Sequence, residues 1–400
     1  MIHKAGAILL KKAKHYRHNY LLTQITRRVL KAQNALGNQN LMQFLKWKYT
    51  DEHILERCGE IYPVVVFPAP DNQIQSPDSV LLSLERNKPG DSALWSGDAK
   101  YRELQYLLVG SIQDRLTFTM KQLVTGPQLG LKCELGTYFK SLDTCDSLGW
   151  EILNEAIRLI GSDVKTFKKF DKQLLLRSLV HKQVRNPVYS GNYRSAAIGI
   201  STLIAYKEKD NFFLWLKKRS PKGAVGASLF HVIPSCMFQP VTLYLDEEFS
   251  VTHNVYREYL EEIFNKPELE EHESDWRYFY ADARMKYLQH LIDTNEAKLY
   301  LSGVAVNLLN LRPEICTVLL IRSEEWYKKY TQHSFNEERF HFNGEWAELS
   351  TENPDLTCGR IPYKTTDEEI MKNVPLQVSN MIPSGAAAFW LGIDVLRQVL

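Results

Sequence analysis

Apolar side chains recur with strand and helix periods in the second half of the chain, and they predict most of its elements. Residues 197–206 (AIGISTLIAY) and 211–220 (NFFLWLKKRS) are rich in β-forming side chains and flank the polar KEKD, which predicts an antiparallel hairpin. Residues 229–241 (LFHVIPSCMFQPV) predict a third extended segment, which two prolines end. Later segments predict two more strands, at 299–309 and 315–321, and three helices, at 250–264, 323–330 and 384–400.

The first half contains shorter segments that turn signals separate. The apolar run Tyr62–Phe67 predicts one buried strand, and residues 116–123 and 129–139 predict two more, joined through a Gly-Pro pair. Helices are predicted at about 147–160 and at 167–182, the second ending ahead of an Asn-Pro pair because the residue before a proline avoids helical geometry.

Strands and helices intermixed with hairpins predict an α/β or α+β fold. A length of 400 residues predicts two or three domains. The polar stretch 183–194 is the best candidate for a boundary. We therefore expect a basic segment at 1–50, an N-terminal α+β domain at 51–188 and a C-terminal domain at 189–400.

Composition excludes several classes of protein. Charged residues make up 24% of the chain and hydrophobic residues 44%, which is typical of soluble globular proteins. No apolar run reaches the roughly 18 residues that a membrane-spanning helix needs. The six cysteines are scattered, which argues against a disulfide framework and a structural zinc site. We expect a cytoplasmic protein with no membrane span, and a homo-oligomer is left open.

The near-zero net charge conceals an asymmetry. Residues 1–50 contain ten Lys or Arg and no Asp or Glu, so the remaining 350 residues carry 39 basic and 47 acidic side chains, a net charge of −8. A basic start of this kind favours contact with a polyanion such as nucleic acid. Packing of a helix that includes Ile25, Val29 and Leu30 against the acidic remainder of the chain explains the charge equally well.

Three carboxylates share one face of the helix predicted at 250–264. Glu258, Glu261 and Glu262 lie at positions i, i+3 and i+4, so their side chains lie within reach of one another. Such a cluster repels itself unless a cation is present, and oxygen ligands suit Mg²⁺ or Mn²⁺. Arg257 could orient a carboxylate through its planar guanidinium group. A solvated acidic helix face is the alternative interpretation.

The segment REYLEEIF (257–264) resembles the second half of the Nudix box, G-x5-E-x7-R-E-U-x-E-E-x-G-U with U aliphatic. The strand NFFLWLKKRS and the segment FHVIPSCMFQP precede it in the order that is typical of this superfamily. The resemblance covers about 195–400, and it departs from the box at four positions. Leu243 and Phe264 stand where the box has glycine, Phe249 where it has glutamate, and Asn265 where it has an aliphatic residue.

The resemblance implies a Nudix-like mixed-sheet sandwich that hydrolyses a nucleoside diphosphate derivative. Glu258, Glu261 and Glu262 would then hold Mg²⁺ or Mn²⁺, with Glu261, Glu262 and Arg257 in catalytic roles. Arg257 is expected to anchor the helix through Glu247 or Glu248.

Other positions near the motif are candidates from the residues themselves. Lys218 and Arg219 precede a Gly-containing loop and are candidate phosphate contacts. Glu314 is either a further ligand, a general base or an ordinary glutamate at the end of a loop. The second functional hypothesis is a catalytically inactive Nudix-like nucleotide sensor or a regulatory or defence protein, whose basic start contacts nucleic acid.

Overall fold

Two β-sheets and their flanking helices build an α+β protein. The structure is a computed structural model. It describes residues 26–86, 97–109, 112–220, 226, 228–267, 275–331, 339–346, 358–372 and 376–400.

The larger sheet is mixed, and seven of its strands lie side by side in the order β1-β2-β10-β11-β6-β7-β12, with β8 paired to β7 and β9 paired to β6. β11 runs parallel to β6, whereas the other pairs are antiparallel. These strands are β1 (Ile54–Arg57), β2 (Glu60–Pro68), β6 (Gly199–Glu208), β7 (Asn211–Lys218), β8 (Phe230–Val232), β9 (Ser235–Met237), β10 (Ala297–Asn307), β11 (Pro313–Ile321) and β12 (Cys358–Pro362).

The smaller sheet has the order β3-β5-β4, with β3 (Leu81–Glu85) parallel to β5 (Gly130–Thr137) and β4 (Leu116–Val124) antiparallel to it. It abuts the larger sheet. The Phe118 N–H donates to Phe238 O, and the Ile198 N–H donates to Phe118 O, each over 3.0 Å. Backbone hydrogen bonds therefore connect the two sheets next to β6 and β9.

Helices occupy both halves of the chain. In chain order they are α1 (26–34, as far as it is described), α2 (Gln39–Lys48), α3 (Lys100–Val109), α4 (Tyr138–Ser141), α5 (Ser147–Ala156), α6 (Val164–Asp171), α7 (Leu175–Gln183), α8 (Leu245–Glu248), α9 (Val251–Phe264), α10 (Ala283–Asp293), α11 (Glu324–Thr331), α12 (Asp367–Lys372) and α13 (Pro383–Val399). A π-helical turn, Leu142–Asp146, joins α4 to α5.

Helices cover both faces of the larger sheet. α13 lies so close to β6 and β11 that a Cβ atom at Gly392 would be 2.8 Å from the side chains of Leu203 and Val318. On the opposite face, Trp326 of α11 packs against Tyr206 of β6, with ring centroids 5.5 Å apart. This arrangement explains why β6, β10 and β11 are almost wholly buried, since strands covered on both sides have few solvent-facing positions.

The larger sheet crosses the boundary that the sequence analysis placed at residue 189. β2 lies next to β10, with Val65 opposite Val306 and Phe67 opposite Val304. Both β1 and β2 therefore belong to the sheet of the C-terminal half, which corrects the prediction of a separate domain at 51–188. The prediction failed because strand pairing over such a distance leaves no local signal in the sequence.

The predicted hairpin of β6 and β7 is confirmed, and so are the strands around β2, β4, β5, β10 and β11. The helix predicted at 167–182 is two helices. α7 begins afresh because the Glu151 carboxylate accepts hydrogen bonds from the Leu176 and Arg177 N–H groups, over 2.7 and 3.1 Å. A side chain distant in sequence thus caps this helix, and local periodicity could not predict it.

No helix within the described ranges combines the length and the apolar character that a membrane crossing requires. Of the basic segment 1–50, residues 1–25 lie outside the described residues. Further along, Arg28 contacts Asn154 and the Trp150 ring, Lys46 pairs with Glu56, and Lys48 pairs with Asp171. These three cations have partners in the same chain, which supports the packing interpretation for this part of the segment.

We predict that a fragment of residues 189–400 lacks a cooperative thermal unfolding transition, whereas the full chain has one. Without β2, the edge of β10 is unpaired, and the apolar side chains that pack against Val64, Val65 and Val66 become exposed. Circular dichroism melting of both proteins measures this difference. A fragment that melts cooperatively at the temperature of the full chain would contradict the continuous sheet.

Candidate active site

Helix α9 carries the acidic cluster, and its ends explain its position. The Ser250 hydroxyl accepts the His253 N–H over 3.1 Å, and the Asp78 carboxylate accepts the Val251 and Thr252 N–H groups at the same end. At the other end Asn265 adopts a left-handed conformation, with φ of 50°. The first turn of the helix is thus held by caps from both halves of the chain.

Arg257 belongs to this helix, and its guanidinium group is buried and hydrogen-bonded through both terminal nitrogens. Its Nη1 donates to Glu248 Oε2 over 3.0 Å, and its Nη2 donates to Asn254 Oδ1 over 2.8 Å. The predicted partner is therefore confirmed as Glu248, one residue before the position that the Nudix box assigns to glutamate. The short helix α8 and the turn after it bring Glu248 close enough to α9 for the ion pair with Arg257.

The three glutamates of α9 line one cavity of about 550 Å³. Their side chains are 13%, 8% and 3% exposed for Glu258, Glu261 and Glu262. The Glu262 carboxylate accepts the Ser235 N–H of β9 over 2.8 Å, and the Tyr278 hydroxyl donates to Glu261 over 3.3 Å. The acidic face is therefore buried against the sheet, which excludes the solvated interpretation.

Acidic groups outnumber basic groups around this cavity. Among the described residues that line it, six carry carboxylates and three carry guanidinium groups: Asp146, Glu258, Glu261, Glu262, Glu314 and Glu345 against Arg115, Arg219 and Arg312. An excess of three negative charges in a partly buried cavity is unfavourable unless protons or cations compensate for it.

Burial and mutual repulsion raise the pKa of these carboxyl groups. The pKa of Glu258 lies well above its usual range, first because burial disfavours the charged form and then because Glu261 is close. Burial and the nearby Glu345 raise the pKa of Glu262 in the same way. Without a cation, protonated carboxyl groups are favoured here, and a bound cation would release those protons.

Glu314 enters the cavity from β11, and burial raises its pKa to about 7. The Ser201 hydroxyl donates to its carboxylate. Gly199, its partner in β6, leaves the space that the carboxylate fills, since a Cβ atom there would be 2.2 Å from Glu314 Oε2. Glu314 is thus seated deep in the cavity and is no ordinary glutamate at a loop end.

Arginines complete the walls. Arg219 donates to Glu345 over 2.8 Å, lies 3.9 Å from Glu262 and stacks over Trp346 with 4.8 Å to the ring centroid. Arg312 contacts Asp146 at 3.3 Å. Both guanidinium groups face the cavity next to carboxylates, where they could bind the phosphate groups of a ligand.

The N-terminal half contributes one wall of this cavity. Tyr138, the first residue of α4, and Asp146, the last residue of the π-helical turn, both line it, as do Gln113 and Arg115. Asp146 also accepts the Asn310 side-chain N–H over 3.0 Å. The site therefore needs both halves of the chain.

Two buried arginines shape the turn between β10 and β11. Arg177 donates to Leu309 O, and Arg194 donates to Leu311 O over 3.3 Å; both side chains are fully buried. Their donors hold the backbone on either side of Asn310. This turn is the segment that carries Arg312 and Glu314 into the cavity.

The structure brings together most of the predicted site residues. Glu258, Glu261, Glu262 and Arg219 line the cavity, and Arg257 supports it from beneath. Lys218 is a correction. It is absent from the described lining, and its ammonium group lies 5.9 Å from the Phe230 ring, because neighbouring residues of a strand point to opposite faces.

Sequence reasoning missed Asp146, Arg312 and Glu345 as site residues. Arg312 stands two residues before Glu314, and strand alternation places the two on one side, so a weak signal existed for Arg312. Asp146 and Glu345 lie far from the motif in sequence, and only the fold places them at the cavity.

The chemistry of the donors fits a hard divalent cation. The carboxylate oxygens of Glu258, Glu261 and Glu262 are the ligands that Mg²⁺ and Mn²⁺ prefer. The nearby His231 is already hydrogen-bonded at both ring nitrogens, and burial lowers its pKa to about 3. Within the part of the chain that the structure describes, no three His, Cys, Asp or Glu side chains are arranged to hold a metal ion. Metal binding here stays a prediction.

Comparison with known proteins adds no relative. No family model matches the chain, and no curated protein matches it in sequence.

We predict that Arg257→Lys lowers the free energy of unfolding by about 2 kcal/mol. Lysine keeps the charge but lacks the planar group that donates to both Glu248 and Asn254. One of these two buried acceptors therefore loses its donor. Urea unfolding of this variant measures the loss, with Arg277→Lys, an exposed arginine, as the control. Equal stability of the two variants would contradict an anchoring role for Arg257.

Proposed function

We propose that the protein is a metal-dependent hydrolase of a nucleoside diphosphate derivative, with a Nudix-like site on helix α9. One observation carries the proposal. The carboxylates of Glu258, Glu261, Glu262 and Glu314 line a single cavity whose walls also carry Arg219 and Arg312. The phosphate groups of a diphosphate need cationic partners such as these arginines, and the acidic cluster needs a metal ion. A diphosphate bound together with a metal ion would satisfy both needs.

Each residue would have a distinct task. Glu258, Glu261 and Glu262 would hold Mg²⁺ or Mn²⁺, which when bound neutralises the diphosphate charge and makes phosphorus more electrophilic. Arg219 and Arg312 would bind phosphate oxygens and orient the bond to be cleaved. Arg257 stays under the helix and fixes the direction of the glutamates through Glu248.

Glu314 is the best candidate for the general base. A carboxylate with a pKa of about 7 gains a proton readily and is still partly ionised at neutral pH, which suits removal of a proton from water. Its seat against Gly199 and Ser201 limits its motion. The product would be two phosphate-bearing fragments, formed as water attacks one phosphorus and the bridging oxygen leaves with the other fragment.

The second hypothesis, an inactive nucleotide sensor, predicts binding without turnover. Contact of residues 1–50 with nucleic acid likewise stays a prediction. Measuring phosphate or nucleotide release from a panel of nucleoside diphosphate derivatives, with and without Mg²⁺ or Mn²⁺, separates the hydrolase from the sensor. Metal-dependent release supports the hydrolase, whereas saturable binding with no release supports the sensor.

We predict that Glu262→Gln lowers metal-dependent turnover at least about a hundredfold, because it removes a ligand charge while its amide oxygen still accepts the Ser235 N–H. The free variant should melt at a higher temperature than the wild type at pH 8. The reason is that the raised pKa of Glu262 makes its charged form costly in the folded state, so wild-type stability falls as pH rises through that pKa.

Differential scanning fluorimetry checks this prediction, with Glu325→Gln, an exposed glutamate of α11, as the matched control. Mg²⁺ should raise the melting temperature of the wild type more at pH 8 than at pH 6, since binding must displace protons. Unchanged turnover in Glu262→Gln would remove this residue from the metal site.

We predict that Glu314→Gln lowers kcat by a factor of about 10² to 10⁴ and abolishes the pH dependence near neutrality. In the wild type, kcat should rise as pH increases through about 7, because the base acts in its deprotonated form. Gly199→Ala should displace the carboxylate toward solvent and move this midpoint to lower pH. Stopped assays from about pH 5.5 to about pH 9 measure kcat and the midpoint of its pH dependence. A Glu314→Gln enzyme with the wild-type profile would assign the base elsewhere.

A further inference from the structure

A second, more apolar pocket of about 140 Å³ opens beside the carboxylate-lined cavity. The two spaces share the lining residues Asp146, Asn307, Asn310 and Ile382. The two spaces are therefore adjacent. We call the second space the side pocket.

The walls of the side pocket suit a flat, apolar group. They include Trp150 and Leu153 of α5, Leu36 after α1, and Leu309 from the turn between β10 and β11. Tyr101 lies beside Trp150, with ring centroids 5.9 Å apart. Aromatic walls of this kind stack well on planar heterocycles. An apolar cavity of about 150 Å³ holds one benzene ring, so the side pocket fits a single six-membered ring.

Gln105 supplies one buried acceptor atom, its Oε1, that lacks a partner among the described residues. Its side chain is 3% exposed, lines the side pocket, and its Oε1 accepts no hydrogen bond from any described residue. An unpaired buried acceptor costs about 1–3 kcal/mol, and a ligand N–H would relieve that cost. The Tyr101 hydroxyl is hydrogen-bonded to the same amide group, which orients it.

We infer that the side pocket binds the pyrimidine base of a nucleoside diphosphate derivative, with Gln105 Oε1 accepting a ring or exocyclic N–H. This inference rests on the proposed function and names the substrate class of that site. Uracil and cytosine each offer one ring and one N–H donor, whereas a purine has two fused rings. The diphosphate would then extend into the carboxylate-lined cavity.

The test uses the full chain with Mg²⁺ and three probes that share a non-hydrolysable methylene diphosphonate unit. They are methylenediphosphonate itself and the α,β-methylene analogues of uridine and adenosine diphosphate. Isothermal titration calorimetry measures each Kd. We expect the uridine analogue to bind at least about tenfold more tightly than either of the other probes.

Gln105→Leu should weaken binding of the uridine analogue about tenfold and leave the Kd of methylenediphosphonate unchanged. The latter binding also shows that the variant is folded. Gln183→Leu, at an exposed position of α7, is the matched control and should change neither Kd.

Four results would overturn the inference. Equal affinities of the wild type for all three probes, or an adenosine analogue that binds as tightly as the uridine analogue, would reject a pyrimidine pocket and leave the hydrolase proposal intact. An unchanged Kd of the uridine analogue in Gln105→Leu would do the same. Failure of methylenediphosphonate to bind with Mg²⁺ would instead reject the proposed function, and this inference with it.

Discussion

The burial of three carboxylates on one helix is the constraint on which the rest of the structure depends. Glu258, Glu261 and Glu262 face a cavity instead of solvent, and such a face is tolerated only where positive charge lies close to it. Arg257 supplies part of that charge from within the helix, and Glu248 holds Arg257 in place. Removal of either partner would leave a charge buried without compensation. The remaining acidic excess favours a site that works with a cation.

The second requirement is a fixed position of the turn between β10 and β11, which side chains from both halves of the chain hold in place. Arg177 comes from the N-terminal half and Arg194 from the start of the C-terminal half, and they bind backbone carbonyls on both sides of Asn310. Because guanidinium groups offer several donors in a rigid plane, they fix the path of the chain more tightly than apolar packing would. The N-terminal half is thus part of the site as well as a support for the sheet.

Local pattern predicted the elements well and their assembly poorly. The hairpin of β6 and β7 and helix α9 follow from periodicity, and the R-E-x-x-E-E spacing pointed to the face of α9 that lines the cavity. The pairing of β2 with β10 could not be predicted, because register between strands so distant depends on the whole core. Asp146 and Glu345 were missed for the same reason. Lys218 was assigned wrongly because charge was counted without regard to the side of the strand.

The position of β2 also affects how the chain reaches its native state. Val65 pairs with Val306, which leaves the ribosome 241 residues later. Until then the apolar run of β2 has only the short strand β1 as a partner, and helix α13, which covers that region of the sheet, is synthesised later still. Contacts of such long sequence separation raise the contact order and slow folding. The half-made chain therefore exposes one edge of a β-forming segment for most of its synthesis, and an unpaired strand edge of this kind is prone to aggregation.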